Sequence, residues 1–316
     1  MKRFIIKTTK LSLILIVLIT LMSFSTILII KKASFKIDNN KNILVLGASS
    51  TECSINDTIL TNYLNLSQSA EAYIFTYIKL KKILEVNKHI DTVLLAYTYD
   101  ILKKGRDEWI IGDTKMRDNI SRYISFIGTE ELEILFPKYS FWSSLIDLPY
   151  LSKRALISFF LKKDFKYSDL RLGRFQFLKR DKLKVDLERR KNNSDSILDE
   201  IGEYSEYQNK YLSKIIKLCK NYNVELILFN TPVYTDAIPA AVVEEFYKYH
   251  KSHYSDVTFI DCSNFDLDDS HYADVKHLNY KGAKIFSEFI KQNGLSKLAS
   301  YYSYQSQKQS DSFAIE

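Results

Sequence analysis

Near the end of this 316-residue chain, the segment Asp274-Val275-Lys276-His277-Leu278-Asn279-Tyr280-Lys281-Gly282 sets an acid and an imidazole three residues apart. A helical stripe of Ala283, Phe286, Phe289 and Ile290 follows. A carboxylate at this spacing can accept a hydrogen bond from one ring nitrogen of His277, leaving the other to take a proton from a hydroxyl. Asn279 can cap the helix that fixes the loop. Toward the other end, the apolar run Ile43 to Leu46 leads into Gly47-Ala48-Ser49-Ser50-Thr51-Glu52. A serine just past the carboxyl end of a parallel strand faces the crevice where open α/β sheets bind ligands, and the N–H groups of the following turn can point at an oxyanion. Small residues after a strand are ordinary turn chemistry, and short Asp-x-x-His matches arise by chance. The signal is therefore the pair of segments, not either one.

Taken together, the early Gly-x-Ser-x-Thr and the late Asp-x-x-His-Leu-Asn-x-x-Gly resemble the SGNH (GDSL-like) hydrolase superfamily. The resemblance spans about Ile43 to Leu295 in element order, with residue-by-residue agreement at the two end blocks. It implies Ser49 as nucleophile, His277 as base and Asp274 as its acid, with no cofactor and no metal. Its membrane-anchored form is similar to the branch of polysaccharide O-acetyltransferases and the teichoic-acid D-alanylation protein. The implied activity is that of a serine esterase or O-acyltransferase on acyl esters of a cell-envelope glycan, with a membrane-bound acyltransferase among the partners allowed.

Three departures from the family pattern accompany the match. The acid that usually precedes the serine is Ala48. The second block, Asn65-Leu66-Ser67-Gln68-Ser69-Ala70, lacks its glycine, so the oxyanion donors would be the backbone N–H groups of Ser49 and of Ser69 or Ala70. The third block, Ala96-Tyr97-Thr98-Tyr99-Asp100, lacks its asparagine and leaves Thr98 or Tyr99 as substitutes. The alternative expectation is a catalytically weak or inactive protein of the same fold that binds an envelope glycan or a partner protein.

The elements that must position these residues follow from periodicity. Ile43 to Leu46, Thr92 to Tyr97, Val224 to Phe229 and Val257 to Ile260 read as buried strands, with Leu64 to Leu66 as a fifth. Tyr73, Tyr77, Leu80 and Leu84 form one helical stripe, and Tyr204, Tyr207, Tyr211, Ile215, Leu218 and Tyr222 another. Alternating strands and helices predict an α/β fold. The expected form is a three-layer α/β/α arrangement of SGNH or flavodoxin-like type, with a mostly parallel central sheet over residues 38–300. A helical insertion at about 103–196 interrupts the alternation, and a polar segment, 301–316, reads as a disordered tail.

The charge has a simple source. Of 45 Lys and Arg against 38 Asp and Glu, the excess of +7 is supplied by the seven cations before Asp38. A whole-protein basic field, and with it a nucleic-acid partner, is excluded. These cations flank Leu11 to Ile30, a run of 20 uncharged residues whose length of roughly 30 Å matches a bilayer core. The run exceeds a signal-peptide h-region and no Ala-x-Ala site precedes Lys31, so it reads as an uncleaved transmembrane anchor over 11–30. Lys2, Arg3, Lys7 and Lys10 outnumber Lys31, Lys32 and Lys36, which predicts a cytoplasmic segment 1–10 and an extracytoplasmic remainder.

Within the insertion, residues 151–195 carry 14 cations against 6 acids, interleaved with Phe159, Phe160, Phe165, Phe175 and Phe177. This pattern suits either a solvated helical cap or a face that meets anionic lipid or a polyanionic glycan. Cys53, Cys219 and Cys262 form no framework of disulfides, and Cys53 near Ser49 reads as a small buried residue. His271 with Asp268 and Asp269 is a weak metal candidate, His250 and His253 read as surface residues, and Asp261 is an alternative acid for His277. Asn192-Asn193-Ser194 is a glycosylation-type sequence that carries no information in an envelope protein of bacterial kind.

Overall fold

The computed structural model describes residues 1–192, 202–234 and 238–312. The Asn193 and Ser194 of the glycosylation-type sequence lie outside them. In chain order the elements begin with α1 (Lys2–Ile30), β1 (Ile43–Leu46), α2 (Ser49–Ser54), β2 (Tyr63–Asn65), α3 (Tyr73–Val86) and β3 (Thr92–Ala96). A helical stretch follows: α4 (Glu108–Ile111), α5 (Asp113–Tyr123), α6 (Thr129–Leu135), α7 (Tyr139–Leu151), α8 (Lys153–Leu161) and α9 (Leu183–Asn192). The chain continues with α10 (Glu206–Tyr222), β4 (Glu225–Asn230), α11 (Ala240–His253), β5 (Thr258–Asp261), β6 (Tyr272–Asp274), β7 (His277–Leu278) and α12 (Tyr280–Ser312). Helix dominates, around one five-stranded parallel sheet.

Two compact units share these elements. The first is Met1–Lys36 with Glu108–Leu172, and the second is Ile37–Asp107 with Gly173–Glu316. In the first unit, α1 is the one helix among the described residues that is long and apolar enough to cross a membrane. Helices α7 and α8 pack along it, and Ser23, Thr26 and Ile30 are its buried residues.

In the second unit the sheet has the order β2-β1-β3-β4-β5 with every pairing parallel. The direction of winding reverses between β1 and β3, and at such a switch point the two strand ends diverge and leave a crevice. The strands are the five expected from the β-branched runs, shifted by a residue or two at their ends. Alternate residues Ile43, Val45, Leu94, Ile227, Phe229 and Ile260 form one cluster with Phe286 and Ile290 of α12. The intervening Leu44, Leu46, Val93, Leu95 and Leu228 are fully buried as well, so the sheet is dry on both sides. Helix α3 packs against α10, and α12 packs against α2 and β5.

The insertion divides differently from its composition. Glu108–Leu172 belongs with α1, whereas residues 103–107 and 173–192 belong with the sheet. There, an extended strap donates from the amides of Arg174 to Ser67, Gln176 to Glu52 and Lys182 to Ala273, all through main-chain carbonyls. Gly173 starts the strap at φ +119°, and a Cβ there would lie 2.1 Å from the Leu66 oxygen. Helix α12, bent at Gly294, runs to Ser312 and so enters the segment whose composition reads as a disordered tail.

Gly47 is the tightest point of the sheet unit. Its φ is +125° and a Cβ would sit 2.3 Å from Cβ of Ala96, so β1 and β3 approach each other there only because no side chain intervenes. Gly47→Ala is expected to lower stability by upward of about 2 kcal/mol, through both strain and overlap. Chemical denaturation of the detergent-solubilised chain measures this, and a cost within about 0.5 kcal/mol would show that the strand ends can part freely.

Candidate active site

Ser49 is the first residue of α2, two positions after Gly47, and Ala48 before it is extended at φ −89° and ψ −163°. The strand-to-helix turn thus lifts the serine at the switch point between β1 and β3. Asp274 and His277, expected on a loop, instead face each other across a tight antiparallel hairpin formed by β6 and β7. The pairing register puts both side chains on one side of the ribbon, as cross-strand partners. Asn279 latches the hairpin to α12: its Oδ1 accepts from the amides of Lys281 (2.9 Å) and Gly282 (3.2 Å), and its Nδ2 donates to the Ser270 carbonyl at 2.7 Å.

These elements bring the three residues into a continuous line. His277 Nε2 lies 2.8 Å from Ser49 Oγ, and His277 Nδ1 lies 2.6 Å from Asp274 Oδ1. Asp274 is buried and His277 only slightly exposed. Asp261, the other acid weighed for His277, instead accepts from the Tyr99 and Tyr247 hydroxyls, Asn230 Nδ2 and the Ser263 amide.

A fourth residue, one of the 14 cations between residues 151 and 195, completes the line. Arg180, carried by the strap, donates through Nη2 to Asp274 Oδ2 and lies 3.3 Å from His277 Nδ1. Asp274 therefore uses both oxygens: one for the imidazole and one for the guanidinium, with the Lys276 amide donating to Oδ1 as well, at 3.0 Å. Beside this line, Lys276 in the hairpin turn donates to Asp100 at 2.6 Å, and Asp100 also pairs with Arg106. Burial would raise the Asp100 carboxyl, but Lys276 and Arg106 hold it well below its usual range.

The second-block loop is stapled beneath the serine turn. Gln68 donates its amide to the Gly47 carbonyl (2.9 Å), and Thr51 Oγ1 donates to Ser67 Oγ (2.8 Å). Ser69 donates to the buried Glu52 carboxylate, which burial pushes above its usual value. Under the loop, Lys79 and Glu71 form a fully buried ion pair at 2.8 Å, and Lys79 also donates to the Leu66 carbonyl. Ala70 has φ +55°, the left-handed region that favours glycine. Thus the loop adopts a glycine-like conformation without a glycine.

The third-block candidates are engaged elsewhere. Thr98 Oγ1 donates to Asp100 (2.8 Å), and the Tyr99 hydroxyl is held by Asp261 (3.0 Å) and Ser263 (2.7 Å). Neither hydroxyl is turned to Ser49 by these bonds, in contrast to the replacement role considered from the sequence.

Other candidates also fall into place. All three cysteines are buried and free, and burial pushes the Cys53 thiol up to about 12, which keeps it in the unreactive form. His271, Asp268 and Asp269 belong to no group of three or more His, Cys, Asp or Glu side chains suited to a metal among the described residues. His250, expected at the surface, packs its ring against Tyr97 and Phe259.

A model of an uncharacterised protein family matches residues 162–299, under half of the chain. The matched stretch contains Arg180, Asp274 and His277 and stops short of Ser49. No curated protein matches the sequence.

Burial alone would raise the Asp274 carboxyl, but the hydrogen bond and charge of His277, the Lys276 amide and Arg180 outweigh it and hold the group at about 2, against 3.8 ordinarily. With the folded value below the unfolded one, the ionised group stabilises the fold above pH 3.8, and this is lost as pH falls toward about 2. The contribution is about 2 kcal/mol. Asp274→Asn is therefore expected to be less stable at neutral pH and to lose less of its remaining stability on acidification. Denaturant melts at a series of pH values test this, and parallel acid profiles for the two proteins would contradict it.

Proposed function

We propose that this chain is a serine-dependent acyl-ester enzyme of the SGNH-like kind, anchored by α1 and working on the outer face of a membrane. The observation that carries this reading is the line Ser49 Oγ to His277 Nε2 and His277 Nδ1 to Asp274 Oδ1, at 2.8 and 2.6 Å. The dry sheet, with α3 and α10 packed together and α12 on β5, supports a three-layer arrangement of that family's type. The surplus of cations before the span supports a cytoplasmic amino terminus.

In the resting state His277 carries its proton on Nδ1, toward Asp274, so that Nε2 accepts from Ser49. Ser49 Oγ attacks an acyl carbonyl carbon while its proton passes to Nε2, and the carbonyl electron pair moves onto oxygen. The N–H of Ser49, at the start of α2, is the donor for that oxyanion, whereas the Ser69 amide, expected as a second donor, is drawn to the Glu52 carboxylate. Collapse expels the alcohol, which leaves with the proton from Nε2, and an acyl-serine remains. A second hydroxyl then gives its proton to Nε2, attacks the acyl carbon and frees Ser49. With water this is an esterase, and with a sugar hydroxyl an O-acyltransferase; an envelope glycan suits the outer-face location. Arg180 acts as a positioning residue: by filling Asp274 Oδ2 it leaves only Oδ1 for the imidazole and fixes the ring's tilt.

One observation favours a weaker form of the same site. Thr98 and Tyr99 are tied to Asp100, Asp261 and Ser263, and losing one oxyanion donor costs about two to three orders of magnitude in turnover. In that reading the protein keeps the fold and binds a glycan or partner without efficient chemistry.

A fluorophosphonate probe should label the wild type and leave Ser49→Ala unlabelled, with turnover of an activated ester falling by about three or more orders of magnitude. Equal labelling of both would remove the nucleophile. Complementation of a deletion strain by Ser49→Ala would instead establish the non-catalytic reading. For Arg180, the Ala variant is expected to lower kcat by about one to two orders of magnitude with KM nearly unchanged, and Arg180→Lys to recover part of it. A loss in KM alone, or no recovery with lysine, would assign Arg180 to substrate contact or to packing.

A further inference from the structure

Helices α7 and α8 of the first unit are apolar on the wrong side for water. On α7, Phe141, Ser144 and Leu148 are buried, at steps of three and four. The opposite stripe, Trp142, Ile146 and Tyr150, repeats every four residues and is exposed. On α8, Ala155 and Ser158 are buried while Ile157, Phe160 and Leu161 are exposed, the last two to 73% and 81%. A surface helix in water turns polar residues outward, and helices apolar on both sides belong in a protein interior or in lipid.

The contact with α1 sets the depth of these stripes. Ser23 Oγ donates to the Leu145 carbonyl in α7 at 2.7 Å. Counted back from Ile30 at about 1.5 Å per residue, Ser23 lies roughly 10 Å inside the apolar run. The middle of α7 is therefore level with the interior of one leaflet wherever α1 crosses a bilayer. A serine hydroxyl satisfied by a neighbouring helix is the arrangement that hydrocarbon demands. The charges fit the same level. Lys153 and Arg154 at the start of α8 and Lys163 just past its end are exposed, and Lys32, just past the span, stands 5.5 Å from the Phe159 ring centroid. Cations and aromatic rings at the end of a span mark the headgroup layer.

We propose that α7 and α8 are seated in the leaflet where α1 ends, with the Trp142-Ile146-Tyr150 and Ile157-Phe160-Leu161 stripes against acyl chains and Lys153, Arg154 and Lys163 among anionic headgroups. The first unit is then a membrane-embedded platform, not a single helical tether. The occupant of the stripes is lipid, because they continue the exposed apolar surface of α1. This rests on the reading of α1 as a span and is independent of the chemistry at Ser49.

The test uses the full chain in vesicles of phosphatidylcholine and phosphatidylglycerol that contain lipids with a quencher on the acyl chain. A polarity-sensitive fluorophore is placed in turn at Ile146→Cys, Phe160→Cys, Val17→Cys within the span and Val86→Cys on the second unit. The native cysteines are buried and stay unlabelled in the folded chain. The expected result is a blue shift and loss of fluorescence at Ile146 and Phe160 comparable with those at Val17, with no change at Val86. Quenching at Val17 alone would overturn the proposal while leaving the span intact, and would assign the stripes to water or to a partner protein. Absence of quenching at Val17 would remove the span and the proposal together. Labelling of Ser49 by the fluorophosphonate probe is read separately.

Discussion

The hydrogen bond from Ser49 to His277 joins positions 228 residues apart, and most of the second unit can be understood as the means of holding it at 2.8 Å. The serine side is fixed by the sheet, because β1 ends against β3 at Gly47 and the turn has no other path. The histidine side is fixed by the hairpin, which is too short to be stable alone. Its hold on the protein comes from outside: Asn279 caps α12 and binds the preceding carbonyls, Lys276 reaches Asp100, and Arg180 reaches Asp274. Helix α12 in turn packs on α2, whose first residue is Ser49, so one helix sets the distance between the two halves of the site.

Charge pairing around the site follows a pattern with mechanical value. Asp274 has Arg180, Asp100 has Lys276 and Arg106, and Glu71 has Lys79. Half-exposed pairs such as Lys276 with Asp100 contribute little to stability, on the order of 0–1 kcal/mol. Buried pairs such as Lys79 with Glu71 recover a desolvation cost at best. What they provide is direction: each holds a loop carbonyl or a carboxylate oxygen in one orientation. Glu52 instead receives the Ser69 hydroxyl and amide, and burial outweighs them to raise its carboxyl.

Much of this was legible in the residues. The strands were legible because fully buried parallel strands are short unbroken aliphatic runs. The pairing of Ser49 with His277 and Asp274 was legible because two weak motifs at opposite ends of an α/β pattern rarely coincide without reason. Arg180 was not, since nothing separates it from the other 13 cations between residues 151 and 195. The hairpin was not, since strands of two and three residues leave no periodicity. Ala70 was not, since a left-handed turn usually announces itself by glycine, and here the Gln68–Gly47 bond and the buried Lys79 hold an alanine in its place.

The basic insertion shows why a window of composition cannot be read as a surface. Its local charge of +8 suggests one cationic face, yet the chain passes from one unit to the other at Gly173. Lys153, Arg154 and Lys163 lie with the helices that pack along α1, whereas Arg174, Lys179, Arg180 and Lys182 lie on the strap across the serine turn. The first set suits a headgroup layer because its neighbours are exposed aromatic and aliphatic side chains. In the second set Arg180 has the Asp274 carboxylate as its partner, so its charge is met within the fold. A single stretch of sequence thus supplies cations to two different units, and only the path of the backbone between Leu172 and Arg174 separates them.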